Sequence, residues 1–163
     1  MPDKVIVINT GPIIALIAAT GNLNVLEKLF SRIIVTREVE KEICYPGESA
    51  FGVREFLDAE FLTIIKQPLQ LSPMLKNTLD SGEASVIQYA LNNNIDTVCI
   101  DEVAGRRIAR LNELKLTGSI GILIRAKKEG IINSVQKAML NMKGHGIFIS
   151  EKLMKRAIFL AGE

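Results

Sequence analysis

The stretch "VIVINTGPIIALIAATG", residues 5–21, decides the fold class of this 163-residue chain. Val5 to Ile8 are four consecutive β-branched apolar residues, the pattern of a strand buried on both faces. Asn9, Thr10, Gly11 and Pro12 break the run, and a second apolar segment of helical character follows. A strand that feeds directly into an apolar helix is the first half of a βαβ unit. The break also poses a chemical question, because a polar amide stands at the mouth of the most hydrophobic segment.

The same alternation recurs downstream. "IIV" (33–35), "FLTII" (61–65), "TVCI" (97–100) and the weaker "KLTG" (115–118) have strand length and β-branched content. Amphipathic stretches at 12–19, 23–30, 37–44, 82–92 and 102–113 lie between them, and this spacing predicts a parallel sheet covered by helices on both faces. The tail, "SIGILIRAKKEG", "SVQKAMLNMKGHG" and "IFISEKLMKRAIFLAG", reads as further helices around one short extended piece. "YPGESAFG" (45–52) reads as a flexible loop. No repeat or linker divides the chain, so residues 1–163 are expected to form one α/β domain.

Composition narrows the class of function. Hydrophobic residues make up 48% of the chain, enough for a packed core and too many for a disordered one. No apolar run reaches the ~18–20 residues that a bilayer span needs, so no membrane partner is expected. The N-terminus lacks the pattern of a secretory signal, and the two cysteines, Cys44 and Cys99, have neither disulfide-framework nor metal spacing. A cytoplasmic protein is the expectation, with Cys99 a buried free thiol. The net charge of +2 and the absence of tryptophan argue against a broad nucleic-acid-coating surface. Any anionic partner must meet a local cluster.

Ligands of open α/β sheets bind at the carboxyl ends of the strands, and acidic or amide residues fall there repeatedly. Asn9 follows the first strand, Glu42 lies on the helix after the second, Glu83 opens the helix "GEASVIQYAL", and Asp101 with Glu102 follows "TVCI". Each has a purely structural reading. Asn9 or Thr10 could cap a helix, with Pro12 in its first turn. Asp80 and Glu83 have capping-box spacing, Asp101 could cap the helix at Glu102, and Glu42 could be an exposed helix charge. Taken together they read differently. Several carboxylates converging on one sheet edge repel each other unless a cation sits among them. Hard oxygen ligands suit Mg²⁺ or Mn²⁺, ions that can support phosphodiester cleavage.

At this point "VIVINTGPIIALI", "VEKEI", "SGEASVIQYAL", "VCIDEVAGRRIARLNELKLTGSIGILIRAKKEGII" and "ISEKLMKRAIFLAGE" together resemble PIN domains, in a VapC-like branch. The resemblance runs from Val5 to Glu163 and rests on the order and spacing of short motifs. It implies a three-layer α/β/α fold with a five-stranded parallel sheet. It also implies a Mg²⁺- or Mn²⁺-dependent ribonuclease, typically the toxin of a toxin–antitoxin pair and a homodimer. The four family carboxylates fall on Asn9, Glu42, Glu83 and Asp101. Metal ligation would then involve Asn9, Glu83, Asp101 and Glu102, and the polar residue after the fifth strand would be Ser119. The departure is Asn9, an uncharged amide where the family pattern has aspartate.

Arg106 and Arg110, four residues apart on one helix face, are candidates for RNA phosphates, as Thr10 and Ser119 are for substrate contact; the alternative for the arginines is a solvated face pairing with Glu102 and Glu113. Lys127 and Lys128 complement the end of a helix, and His145, between two glycines, reads as a loop residue. No dinucleotide fingerprint or Walker A sequence occurs. The leading functional reading is a metal-dependent endoribonuclease acting on RNA, with a small antitoxin protein as partner. The alternative is a catalytically impaired module, disabled at Asn9, that binds RNA or a protein. A phosphoacceptor receiver domain is disfavoured by "INT" and "IIKQP" at its two acidic positions. The apolar early helices "IIALIAA" and "LNVLEKLF" suit a dimer face, or equally the core.

Overall fold

The computed structural model describes residues 4–163. Five strands, β1 (Val5–Ile8), β2 (Arg32–Val35), β3 (Leu62–Ile64), β4 (Thr97–Cys99) and β5 (Lys115–Thr117), form one sheet in the order β3-β2-β1-β4-β5. Every pairing is parallel, with Val7 opposite both Ile34 and Val98 and Cys99 opposite Thr117. The order reverses between β1 and β4, and the ends of these two strands carry Asn9 and Asp101. That reversal opens a crevice at the carboxyl edge of the sheet.

Among the described residues ten helices connect and cover the strands: α1 (Thr10–Thr20), α2 (Asn24–Leu29), α3 (Arg37–Cys44), α4 (Val53–Asp58), α5 (Pro73–Thr78), α6 (Ser81–Asn92), α7 (Val103–Leu111), α8 (Ser119–Lys128), α9 (Val135–Gly144) and α10 (Glu151–Leu160). Helices α1, α2, α8, α9 and α10 pack as one group, and α3, α5, α6 and α7 as another. The three-layer α/β/α arrangement follows.

The core explains the first apolar run. Ile6, Val7 and Ile8 are wholly buried, as are Ile13 and Leu16 one turn and two turns into α1. Each such side chain contributes roughly 1.5–3 kcal/mol by leaving water. Helix α1 stops at Gly21, whose left-handed φ of 87° lets its N–H reach the Ile17 carbonyl at 2.7 Å. Cys99 is buried and its thiol free.

The structure bears on two expectations. Helices α1 and α2, read in sequence as a dimer face or as core, bury Ile13, Leu16, Ile17, Val25, Leu26 and Leu29 within their own chain. Their apolar surface is core, because α8 and α9 lie on it. The segment 45–52 is a series of turns leading into α4, and its Phe51 stacks against His145 at 4.6 Å between centroids. His145 closes α9, where its Nδ1 lies 3.0 Å from the Asn141 carbonyl.

Candidate active site at the carboxyl edge of the sheet

Asn9 occupies the N-cap position of α1 but does not cap it. Its backbone is extended, with φ −87° and ψ 168°, and its side chain makes no capping hydrogen bond. The backbone N–H instead donates to the Cys99 carbonyl at 3.0 Å, which ties β1 to β4. The residue is 4% exposed, and among the described residues its Oδ1 is a buried acceptor with no partner. Such an atom costs about 1–3 kcal/mol unless something satisfies it. A pure capping role would have satisfied it.

Glu83 lies beside this acceptor's strand edge, in the first turn of α6, and is 5% exposed. Asp80 caps that helix, its Oδ1 accepting from the Glu83 N–H at 2.8 Å. The capping reading of Asp80 therefore holds, and Asp80 does more. Burial above all, and then the charges of Asp80, Glu102 and Glu42, push the Glu83 carboxyl from its ordinary 4.5 up to about 7. Glu42 is also raised, chiefly by burial and partly by Asp80, against a lowering by the hydroxyl of Thr10, which donates to its Oε2. Glu42 is thus no isolated helix charge. A buried pair of hydroxyls, Thr36 and Ser85 at 2.7 Å, pins the start of α3 to α6 and brings Glu42 to it.

Asp101 does not cap α7, whose N-cap is Glu102. Its Oδ1 accepts from the Ser119 N–H and its Oδ2 from the Ser119 Oγ, both at 2.8 Å, so β5 and α8 hold this carboxylate in one orientation. Three glycines let the acids approach. A Cβ on Gly82 would stand 2.7 Å from Glu42 Oε1, one on Gly105 3.2 Å from Glu83 Oε1, and one on Gly118 2.6 Å from Asp101 Oδ1. In sequence these glycines carried no such signal, since their partners are remote.

Of the four residues expected to touch substrate, Thr10, Ser119 and Arg106 have partners within the protein. The hydroxyls of Thr10 and Ser119 donate to Glu42 and Asp101, so both orient acids. Arg106 is half-buried, its Nη1 donating to the carbonyls of Ile100 at 2.8 Å and Thr117 at 3.4 Å. It thereby satisfies the ends of β4 and β5. Arg110 is exposed but lies about 12 Å further along the axis than Glu102, given a rise of ~1.5 Å per residue. Among the described residues neither arginine forms an ion pair, so the pairing with Glu102 and Glu113 is absent as well.

The donor set is one neutral amide oxygen and several carboxylates. Among the described residues no three Asp, Glu, His or Cys side chains close on one point. An open set of this kind fits Mg²⁺ or Mn²⁺, which is commonly held by one or two carboxylates and keeps several waters. The orphaned Asn9 Oδ1 is a further hard oxygen of the same kind.

The family model DUF3368, described as a PIN domain, matches residues 5–163. The chain belongs to the PIN domain family. A comparison with curated proteins found no match. PIN domains are generally nucleases, and the acids of this one stand at the strand-order reversal where an α/β sheet binds its ligand. Among the described residues, no helix is long and apolar enough to cross a membrane.

The raised carboxyl of Glu83 sets a pH dependence in the metal-free PIN domain. A group whose pKa is higher folded than unfolded stabilises fully below its unfolded value, and that contribution is lost as pH rises through its folded value. Stability in EDTA should therefore fall between pH 4.5 and about 7, the interval between the two Glu83 values. With solvent screening the loss is roughly 1–2 kcal/mol, or about 5 °C in Tm. Melting curves across that range check it, and Glu83→Gln should flatten the decline. A variant with the wild-type slope would move its origin away from Glu83.

Proposed function

We propose that this PIN domain is a metal-dependent endoribonuclease that hydrolyses RNA phosphodiester bonds as the toxin of a toxin–antitoxin pair. The observation that carries the reading is the partnerless, buried Asn9 Oδ1 beside carboxylates forced up in pKa at the sheet's ligand-binding edge. Together these atoms have the composition of a divalent-cation site and are unfavourable without one.

Asn9, Glu83, Asp101 and Glu102 would hold Mg²⁺ or Mn²⁺, with Glu42 a further carboxylate at that edge. The bound ion would supply Lewis-acid activation of water and charge neutralisation at the phosphate. Ser119 fixes the Asp101 carboxylate, and Thr10 fixes that of Glu42. Glu83, whose carboxyl burial and the neighbouring acids push up in the metal-free chain, is a ligand whose charge a bound cation would offset. The partners belonging to this reading are RNA, a small antitoxin protein and a second copy of the chain, in the cytoplasm.

One observation favours a second reading, a PIN module that binds RNA or a protein without cutting. Asn9 brings no charge where the family pattern has aspartate, and a divalent site is weakened by each lost carboxylate. Incubating the purified chain with single-stranded RNA decides between them. Endonucleolytic cleavage that needs Mn²⁺ or Mg²⁺ and stops with EDTA is the expected result. Binding without cleavage at saturating metal would select the module.

A further inference from the structure

Two grooves meet at Asp101. One, of about 580 Å³, runs from Asp101, Glu102 and Ser119 past Val103 to Phe148. The other, of about 440 Å³, runs from Asp101 past Thr117 to Arg156. They share Asp101, Ile120 and Leu153 in their walls, so the two grooves adjoin at Asp101 and together make an open channel along that side of the acidic edge.

The two ends differ in chemistry. Phe148 is 89% exposed although its neighbour Ile149 is 5% exposed and buried in the core. The backbone beneath it is fixed, with the Ile147 N–H on the Met142 carbonyl at 3.1 Å and the Ser150 hydroxyl capping α10 through Leu153 N–H. The ring is therefore presented to solvent by a held backbone rather than left loose in a mobile loop. An exposed aromatic ring costs free energy in water and gains it by stacking on a flat partner. Arg156 at the other end is exposed and, among the described residues, forms no ion pair. Lys152 and Lys155 on the same helix are exposed too. A flat apolar platform, a hydrolytic acidic centre and a free guanidinium in one channel match a base, a scissile phosphate and a flanking phosphate.

We propose that this channel seats one strand of RNA, with a base stacked on Phe148 and a backbone phosphate on Arg156. The inference rests on the hydrolase reading for its orientation at Asp101, while binding itself does not require cleavage. Arg156 lines the same groove as Arg106, one of the two arginines that the sequence suggested for phosphate.

The test uses the full chain and a fluorescein-labelled, unstructured single-stranded RNA, followed by anisotropy in EDTA and in Ca²⁺ over a range of salt. Phe148→Ala should weaken binding roughly 10- to 100-fold at every salt concentration, the effect of losing one stacked base, and Phe148→Trp should restore it. Arg156→Ala should lower the salt slope by about 0.7, the value for one phosphate on a single strand, and Arg156→Lys should restore the slope. Wild-type chain that binds no RNA in either buffer overturns the proposal, as does binding indifferent to both positions. Phe148→Ala that alters sedimentation but not RNA affinity also overturns it and gives the face to a protein partner. Failure of the hydrolase reading looks different, namely these same binding changes with no cleavage in Mn²⁺.

Discussion

Asp101→Asn should lower Mn²⁺-dependent RNA cleavage by about 10²-fold or more while leaving the fold intact. Each decade of rate is about 1.36 kcal/mol, and a carboxylate that helps hold a catalytic cation is worth several. The fold survives because the asparagine oxygen can take the Ser119 N–H at the position of Oδ1, and the Ser119 hydroxyl can turn to accept from the new amide. Only the charge is lost. Ser119→Ala removes one of the two anchors but keeps the charge, and should cost roughly tenfold, as partners that orient a ligand generally do. Cleavage rates beside melting curves separate the two effects. An Asp101→Asn variant that cuts like wild type would take Asp101 out of the site.

Asn9→Asp should act in opposite directions with and without metal. The substitution is nearly isosteric, so packing around a residue 4% exposed changes little. In EDTA the new carboxylate joins Glu83, Glu42 and Asp80 in a partly buried cluster and repels them. The cost is roughly 1–3 kcal/mol at pH 8, or about 5 °C in Tm. In Mg²⁺ the charge is matched by the ion, and affinity should rise by about tenfold or more, ~1.4 kcal/mol. Cleavage at limiting metal should rise with it. A simple capping position accepts either residue with little difference in both conditions. Melting curves in EDTA and in excess Mg²⁺ give the comparison, and shifts of the same sign in both would return Asn9 to a structural role.

Much of the fold was legible because period and burial are local properties. The five strands were found within a residue or so of their observed ends, since short β-branched runs bounded by turn residues have few other uses. Helices α4 and α5 escaped because each buries too little to show a periodic face, Val53 and Phe56 in one and Leu75 in the other, whereas the equally short α2 buries Val25, Leu26 and Leu29. Asn9 and Asp101 were visible as polar residues ending apolar runs, and Glu42 as an acid on the helix after β2. Asp80 was visible too, but only as a cap, because its spacing to Glu83 explains it completely without any neighbour from elsewhere.

The sequence by itself determined the α/β class, the buried strands and the edge of the sheet on which the polar residues fall. It could do so because strand and helix periods and helix caps depend on neighbours within about four residues. Only the tertiary structure decided what each polar atom does there. The Thr10 and Ser119 hydroxyls turned to carboxylates 32 and 18 residues away, and Arg106 turned to the carbonyls of Ile100 and Thr117. Gly82 became a seat for Glu42, and Phe148 came to face the same channel as Asp101. Asn9 Oδ1 kept no partner at all among the described residues. These outcomes depend on which donors and acceptors the strand order brings within about 3 Å, and hydrogen bonding at that range is set by packing in space rather than by spacing along the chain.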